Sequence, residues 1–74
     1  MNILIVDRDP AVVDQMQWDF FIDPRRDRVM RVSRPESIMG LDLTGWLVIT
    51  KRCHFVCNSF TARSARHTLI ESLK

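Results

Sequence analysis

Tyrosine is absent from this chain, and glycine, cysteine and lysine occur only twice each. Gly40 and Gly45 are too few and too isolated to build a phosphate-cradling loop. They also form no Gly-x-Ser-x-Gly elbow, so no serine is presented as an exposed nucleophile. The lack of tyrosine and of any glycine-rich aromatic motif counts against the common RNA-binding modules. No apolar run approaches the roughly 20 residues of a membrane-spanning helix, which excludes a membrane partner of that kind. The apolar opening from Met1 to Val6 is too short, and meets Asp7 too early, to act as a signal peptide. With two cysteines and no secretion signal, a reducing cytoplasm is the expected location. There are no internal repeats and no low-complexity tract.

What remains is 74 residues, expected to form a single domain over 1–74, near the lower limit for a self-sufficient core. A hydrophobic fraction of 46% and a charged fraction of 27% are those of an ordinary globular chain, not a disordered tail. The charge is sharply divided. Through residue 24 there are five acids (Asp7, Asp9, Asp14, Asp19, Asp23) against the single base Arg8, a balance of −4. From Arg25 onward ten bases face four acids (Asp27, Glu36, Asp42, Glu71), a balance of +6 that brings the whole to +2. Five of those bases, Arg25, Arg26, Arg28, Arg31 and Arg34, fall within ten residues that contain no lysine. Guanidinium groups bind carboxylates and phosphates in a bidentate fork, so a fold that gathers these arginines presents a surface suited to either. A chain this small leaves little room for a deep pocket with a supporting catalytic shell, which favours a module that acts by touching something larger.

The pattern along the chain is that of a small α+β protein. Ile3, Leu4, Ile5 and Val6 form a continuous apolar run, expected as a strand buried on both faces. Asp9 and Pro10 then supply an N-cap and a first helical residue. Val13, Met16 and Phe20 recur at helical spacing, broadened by Val12, Phe21 and Ile22, and Asp23-Pro24 is expected to end the helix. In residues 29–32, Met30 and Val32 share one face of a second strand and Val29 and Arg31 the other. Arg34-Pro35 opens a loop or helical turn closed by Gly40. Residues 46–50 and 55–57 are β-rich, and the short link of Lys51 and Arg52 favours an antiparallel hairpin, with the exact turn left open. Ser59 or Thr61 is expected to cap a last helix whose inner face carries Ala62, Ala65, Leu69 and Leu73. The sum is a βαβ(α)ββα sandwich, two helices on a three- or four-stranded mixed sheet.

Cys53-His54-x-x-Cys57 invites a metal reading, with His67 as a further ligand. On a strand, however, residues four apart lie about 13 Å apart, whereas two thiolates on one zinc lie within about 4 Å. The same geometry excludes a bond between the two cysteines, which are expected to be buried as small apolar residues. Asp7 and Asp9 flank Arg8, whose charge opposes any raised carboxyl pKa. Nothing here calls for a cofactor, a metal or catalysis. Trp18 lies off the apolar stripe and is either an exposed interface anchor or packed beneath the 25–28 connection; Trp46, entering a strand, is expected in the core. The arginines have a bland alternative too, as a solvated face or as partners of the acidic first helix.

The run from Asn2 through Val6, Asp7, Arg8, Asp9 and Pro10 resembles the first strand and loop of a response-regulator receiver domain. In that family an apolar strand leads to paired acids that hold magnesium, and a later strand ends in the phosphate-accepting aspartate. Asp7 matches the first acid, but Arg8 stands where the second is expected, and the strand of Trp46, Leu47, Val48 and Ile49 ends in Thr50. These departures, and a length well short of a full domain of roughly 120 residues, argue against a working receiver. In kind rather than motif, the chain is similar to small bacteriophage proteins with no active site and lopsided charge, some of which attach to host RNA polymerase. That similarity implies a larger protein complex as partner and the host cytoplasm as the place of action. The expected function is therefore a non-enzymatic regulator that docks Arg25, Arg26, Arg28, Arg31 and Arg34, with Trp18, Lys51 and Arg52, on such a complex. A nucleic-acid-binding module contacting phosphates through the same residues is the alternative, and a fold kept only for dimerisation a third.

Overall fold

The computed structural model describes residues 1–20, 22–23 and 25–74. Its elements follow the order β1 (Asn2–Val6), α1 (Pro10–Asp19), β2 (Arg28–Val32), a 3-10 turn (Pro35–Ser37), β3 (Leu47–Thr50), β4 (His54–Val56) and α2 (Ala62–Leu73). The four strands form one mixed sheet in the order β2-β1-β3-β4, with α+β architecture. β1 pairs in parallel with both β2 and β3, and β4 closes the sheet antiparallel to β3.

The apolar run of β1 has the double-sided burial its pattern predicts. Successive side chains on a strand point to opposite faces. Ile3 and Ile5 accordingly pack with Val13 and Met16 of α1 and with Ile49. Leu4 and Val6 pack on the other side with Val32, Ile38, Leu43, Val48, Cys57 and the α2 residues Ala62, Leu69 and Leu73. One helix thus covers each face. Met30 joins the α2 side and Val29 the α1 side, as the alternation in β2 requires. Ala65 is partly buried against the same cluster as Leu69, so the expected inner face of α2 is the observed one.

Local chemistry explains most of the boundaries. Asp9 caps α1, its Oδ1 accepting the Ala11 N–H at 2.9 Å, and Pro10 occupies the first helical turn. The helix closes at Asp19, before the expected stop at Asp23-Pro24. Asp23 instead opens a separate turn, its carboxylate accepting the Arg25 N–H and its carbonyl the N–H groups of Arg26 and Asp27. Short polar side chains that satisfy the backbone locally compete with helix continuation in this way. Phe20, expected on the buried stripe, is consequently 42% exposed, its ring edge-on to His54 at 5.6 Å between centroids. Phe21 and Pro24, named in that stripe and stop, lie outside the described residues. Trp46 lies just before β3 and is only partly buried against the α2-side core.

The hairpin link contains three residues, Lys51, Arg52 and Cys53, rather than two. No glycine or asparagine is present to take a positive φ, and the Thr50 hydroxyl organises the turn instead. It accepts the N–H groups of Arg52 (3.3 Å) and Cys53 (3.1 Å) and donates to the Cys53 carbonyl (3.0 Å). The glycines serve elsewhere, with φ of 86° at Gly40 and 83° at Gly45, in the left-handed region that other residues enter at a cost.

Candidate binding surfaces

The arginine cluster is divided by β2. Arg25, Arg26, Arg28 and Arg31, with Gln17, Asp27 and Val29, line a hollow of about 410 Å³ beside β2, an edge strand. Arg34 follows the other end of β2 and is not part of it. The expectation of a single surface of five arginines is thus corrected to four. The strand itself is the reason, since its first and last residues, four apart, lie about 13 Å from each other and Arg34 comes after the last.

Within the hollow the guanidinium groups are not equivalent. Asp27 is only 8% exposed, and its carboxylate is met by Arg26 at 3.3 Å and by the Met1 amino group at 3.7 Å. Arg31 reaches across to α1, 3.5 Å from the Asp14 carboxylate and donating to the Gln17 side-chain oxygen at 2.7 Å. Pairing with the acidic first helix therefore takes place, and among the described residues it does so through Arg31 alone of the cluster. Both ends of the Arg31–Asp14 pair are largely solvated, so it contributes only ~0–1 kcal/mol. Arg25 and Arg28 are exposed and have no carboxylate partner among the described residues. Asp23, close in sequence, is bonded to the Arg25 backbone rather than its guanidinium.

Trp18 is 75% exposed, which excludes its packing beneath the 25–28 connection. It follows Gln17, which lines the hollow, on the same helix. Met16 turns inward to the core, and at 100° per residue the side chain two positions on emerges on the solvent side.

Lys51 and Arg52 do not line this hollow. They follow the carboxyl end of β3, beside the carboxyl end of β1, where Arg8 lies. These three cations line an open cleft of about 910 Å³ between the hairpin and α2, larger than a chain of this length led one to expect. In the sequence Arg8 stands out only as the neighbour of two acids and as the residue in place of a receiver's second acid. No local signal marks it otherwise, because its proximity to Lys51 depends on β1 and β3 being paired in parallel.

The two cysteines also part company. Cys57 is buried, as expected, but Cys53 is exposed in the hairpin turn, so it is no core residue. Both are free thiols. Among the described residues, no three His, Cys, Asp or Glu side chains are grouped so as to hold a metal ion. No helix is long and apolar enough to cross a membrane.

Comparison with protein-family models, curated proteins and solved structures gave no match.

Proposed function

We propose that this protein is a non-enzymatic binding module that docks the hollow beside β2 onto an acidic surface of a larger protein complex. The observation that carries this reading is the hollow itself. It gathers four arginines at one sheet edge, and two of them, Arg25 and Arg28, lack a carboxylate partner among the described residues. Arg26 and Arg31 are held by Asp27, Asp14 and Gln17, so part of the surface is pre-ordered before a partner arrives. The exposed Trp18 adds a residue type that interfaces favour at their centres.

A protein partner suits the site better than a nucleic acid. Phosphate-tracking proteins present a continuous basic stripe. Here the basic hollow is local, with the exposed Asp14 carboxylate at its Arg31 edge and the exposed Asp19 and Asp23 nearby in sequence, so it suits a compact acidic patch rather than an extended phosphate backbone. The similarity in kind to small phage regulators makes RNA polymerase the first complex to test.

The test is a pull-down from nuclease-treated bacterial lysate with the wild-type protein and with an Arg25→Ala/Arg28→Ala double variant. The variant spares Arg26, which is paired with Asp27, so the fold is preserved. A stoichiometric protein set that survives nuclease and disappears with the variant is the expected result, with RNA polymerase subunits as the named candidate. Retention of partners by the variant would sink the proposal. Partners lost only on nuclease treatment would transfer the hollow to phosphate recognition.

A further inference from the structure

The sheet order β2-β1-β3 means that the chain leaves β1 to one side, forms β2, and crosses back to form β3 on the other side. In open sheets of parallel strands, such a reversal leaves a crevice outside the carboxyl ends of the two strands that flank it, and ligands bind there. In this protein those strands are β1 and β3, whose last residues Val6 and Thr50 are register partners. The cleft of about 910 Å³ opens at that point.

Its lining is chemically sorted. Arg8, Lys51 and Arg52 stand at the strand ends, and none pairs with a carboxylate among the described residues. The two acids in the lining are engaged: Asp7 Oδ1 accepts the Asp9 N–H at 2.9 Å, and Glu71 is held by Lys74 at 3.0 Å. The hydrogen bond and charge of Lys74 hold the Glu71 carboxyl below its ordinary pKa and offset its negative charge at that edge of the cleft. Ser64 and Thr68, one helical turn apart on α2, bring hydroxyls to the same cleft and make no side-chain hydrogen bond among the described residues. The floor includes the partly buried ring of Phe55. Three cations, two free hydroxyls and an aromatic surface fit one kind of molecule: a phosphate on a hydroxylated, partly planar body. The volume is within the roughly 300–1,000 Å³ typical of small-molecule sites.

We infer that this cleft binds a phosphorylated small molecule of mononucleotide size. The phosphate lies against Arg8, Lys51 and Arg52, the hydroxyl-bearing part against Ser64 and Thr68, and the planar part on Phe55. This site shares no lining residue with the arginine hollow and stands or falls independently of it.

The experiment is an amide-resolved NMR titration of the whole chain with AMP, ribose 5-phosphate, inorganic phosphate and adenosine. The spectrum reports at the same time that each variant is folded. AMP is expected to give saturable shifts at Arg8, Lys51, Arg52, Ser64 and Thr68, ribose 5-phosphate weaker ones, and adenosine none at the same concentration. A Lys51→Ala/Arg52→Ala variant is expected to weaken AMP at least about tenfold, because charge-assisted bonds to phosphate are lost. The Arg25→Ala/Arg28→Ala variant leaves AMP affinity unchanged. Absence of saturable shifts with all three phosphates overturns the inference, as does unchanged affinity in the Lys51/Arg52 variant. Inorganic phosphate binding as tightly as AMP reduces the site to an ion site and overturns it equally. Adenosine binding as well as AMP removes the phosphate from the argument.

Discussion

Cys53 and Cys57 are four positions apart and chemically identical, yet the fold gives them opposite environments. Cys57 follows β4 on the α2 side of the sheet, within the core cluster, and burial pushes its thiol pKa up. Cys53 sits in the exposed hairpin turn, its Sγ 3.4 Å from the Thr50 hydroxyl. The thiolate is the reactive form, so burial slows Cys57 twice, by excluding reagent and by keeping the proton on. Alkylation of the native protein at neutral pH is expected to show one fast thiol and one that reacts only on the timescale of opening. Cys53→Ser abolishes the fast phase, read by intact-mass spectrometry, and Cys57→Ser abolishes the slow one. Two thiols modified at equal rates would contradict the observed burial.

Among the elements, the start of α2 is decided by a residue that sequence reasoning passed over. Ser59 and Thr61 were the expected caps; Thr61 does hold the N-cap position but makes no side-chain cap bond there. The Asn58 side-chain oxygen instead accepts the N–H groups of Phe60 (2.8 Å) and Thr61 (3.0 Å). Thr61 returns the contact, its Oγ1 accepting the Asn58 N–H at 3.1 Å. This is the reciprocal logic of a capping box, with threonine in place of the usual glutamate or glutamine. The Asn58 carbonyl also accepts the Ala62 N–H at 3.0 Å, closing a turn that leads into α2, whose own ladder opens with the Ala65 N–H on the Thr61 carbonyl at 2.8 Å. Asn58→Ala is therefore expected to destabilise the protein by about 1 kcal/mol, and Ser59→Ala by no more than about 0.5 kcal/mol. Urea unfolding followed by circular dichroism distinguishes them. A larger effect at Ser59 would show the cap to be misplaced. β4 illustrates a second element-scale point: it is a three-residue edge strand, too short to offer another chain much of a template.

At the scale of the whole molecule, a chain of this length holds a narrow margin of stability. At about 0.05–0.15 kcal/mol per residue, the total is on the order of 4–11 kcal/mol. The radius of gyration is 11.3 Å, close to the roughly 11 Å expected for a compact chain of this length. Much of that margin rests on β1, the strand with a neighbour on each side and a helix-packed core on each face. Leu4 is fully buried there. Leu4→Ala is expected to cost ~2–5 kcal/mol, combining lost transfer free energy with the cavity left behind. That is a large share of the total, and it is read as a fall in the urea midpoint with an unchanged slope. A loss below about 1 kcal/mol would mean that β1 is not the centre of the core.

The character of most elements was legible in the order of the amino acids. The unbroken apolar run of β1 required burial on both faces, Asp9-Pro10 started α1, the alternation of residues 29–32 sorted Met30 from Val29, and the short link after Thr50 required an antiparallel partner. These signals are local, because the periods of strand and helix are properties of the backbone within a few residues. The turn at Asp23 and the cap at Asn58 were also local, but each had a competitor nearby in sequence that read equally well. Only the tertiary structure decided where the charges meet. Arg34 is close to Arg28 along the chain but is carried to the far end of the sheet by the length of β2. Arg8 and Lys51 are far apart along the chain yet line one cleft, because β1 and β3 pair in parallel. Strand order comes from non-local pairings, stabilised by burial summed over the whole core and opposed by loop-closure entropy. An isolated arginine carries no record of that balance.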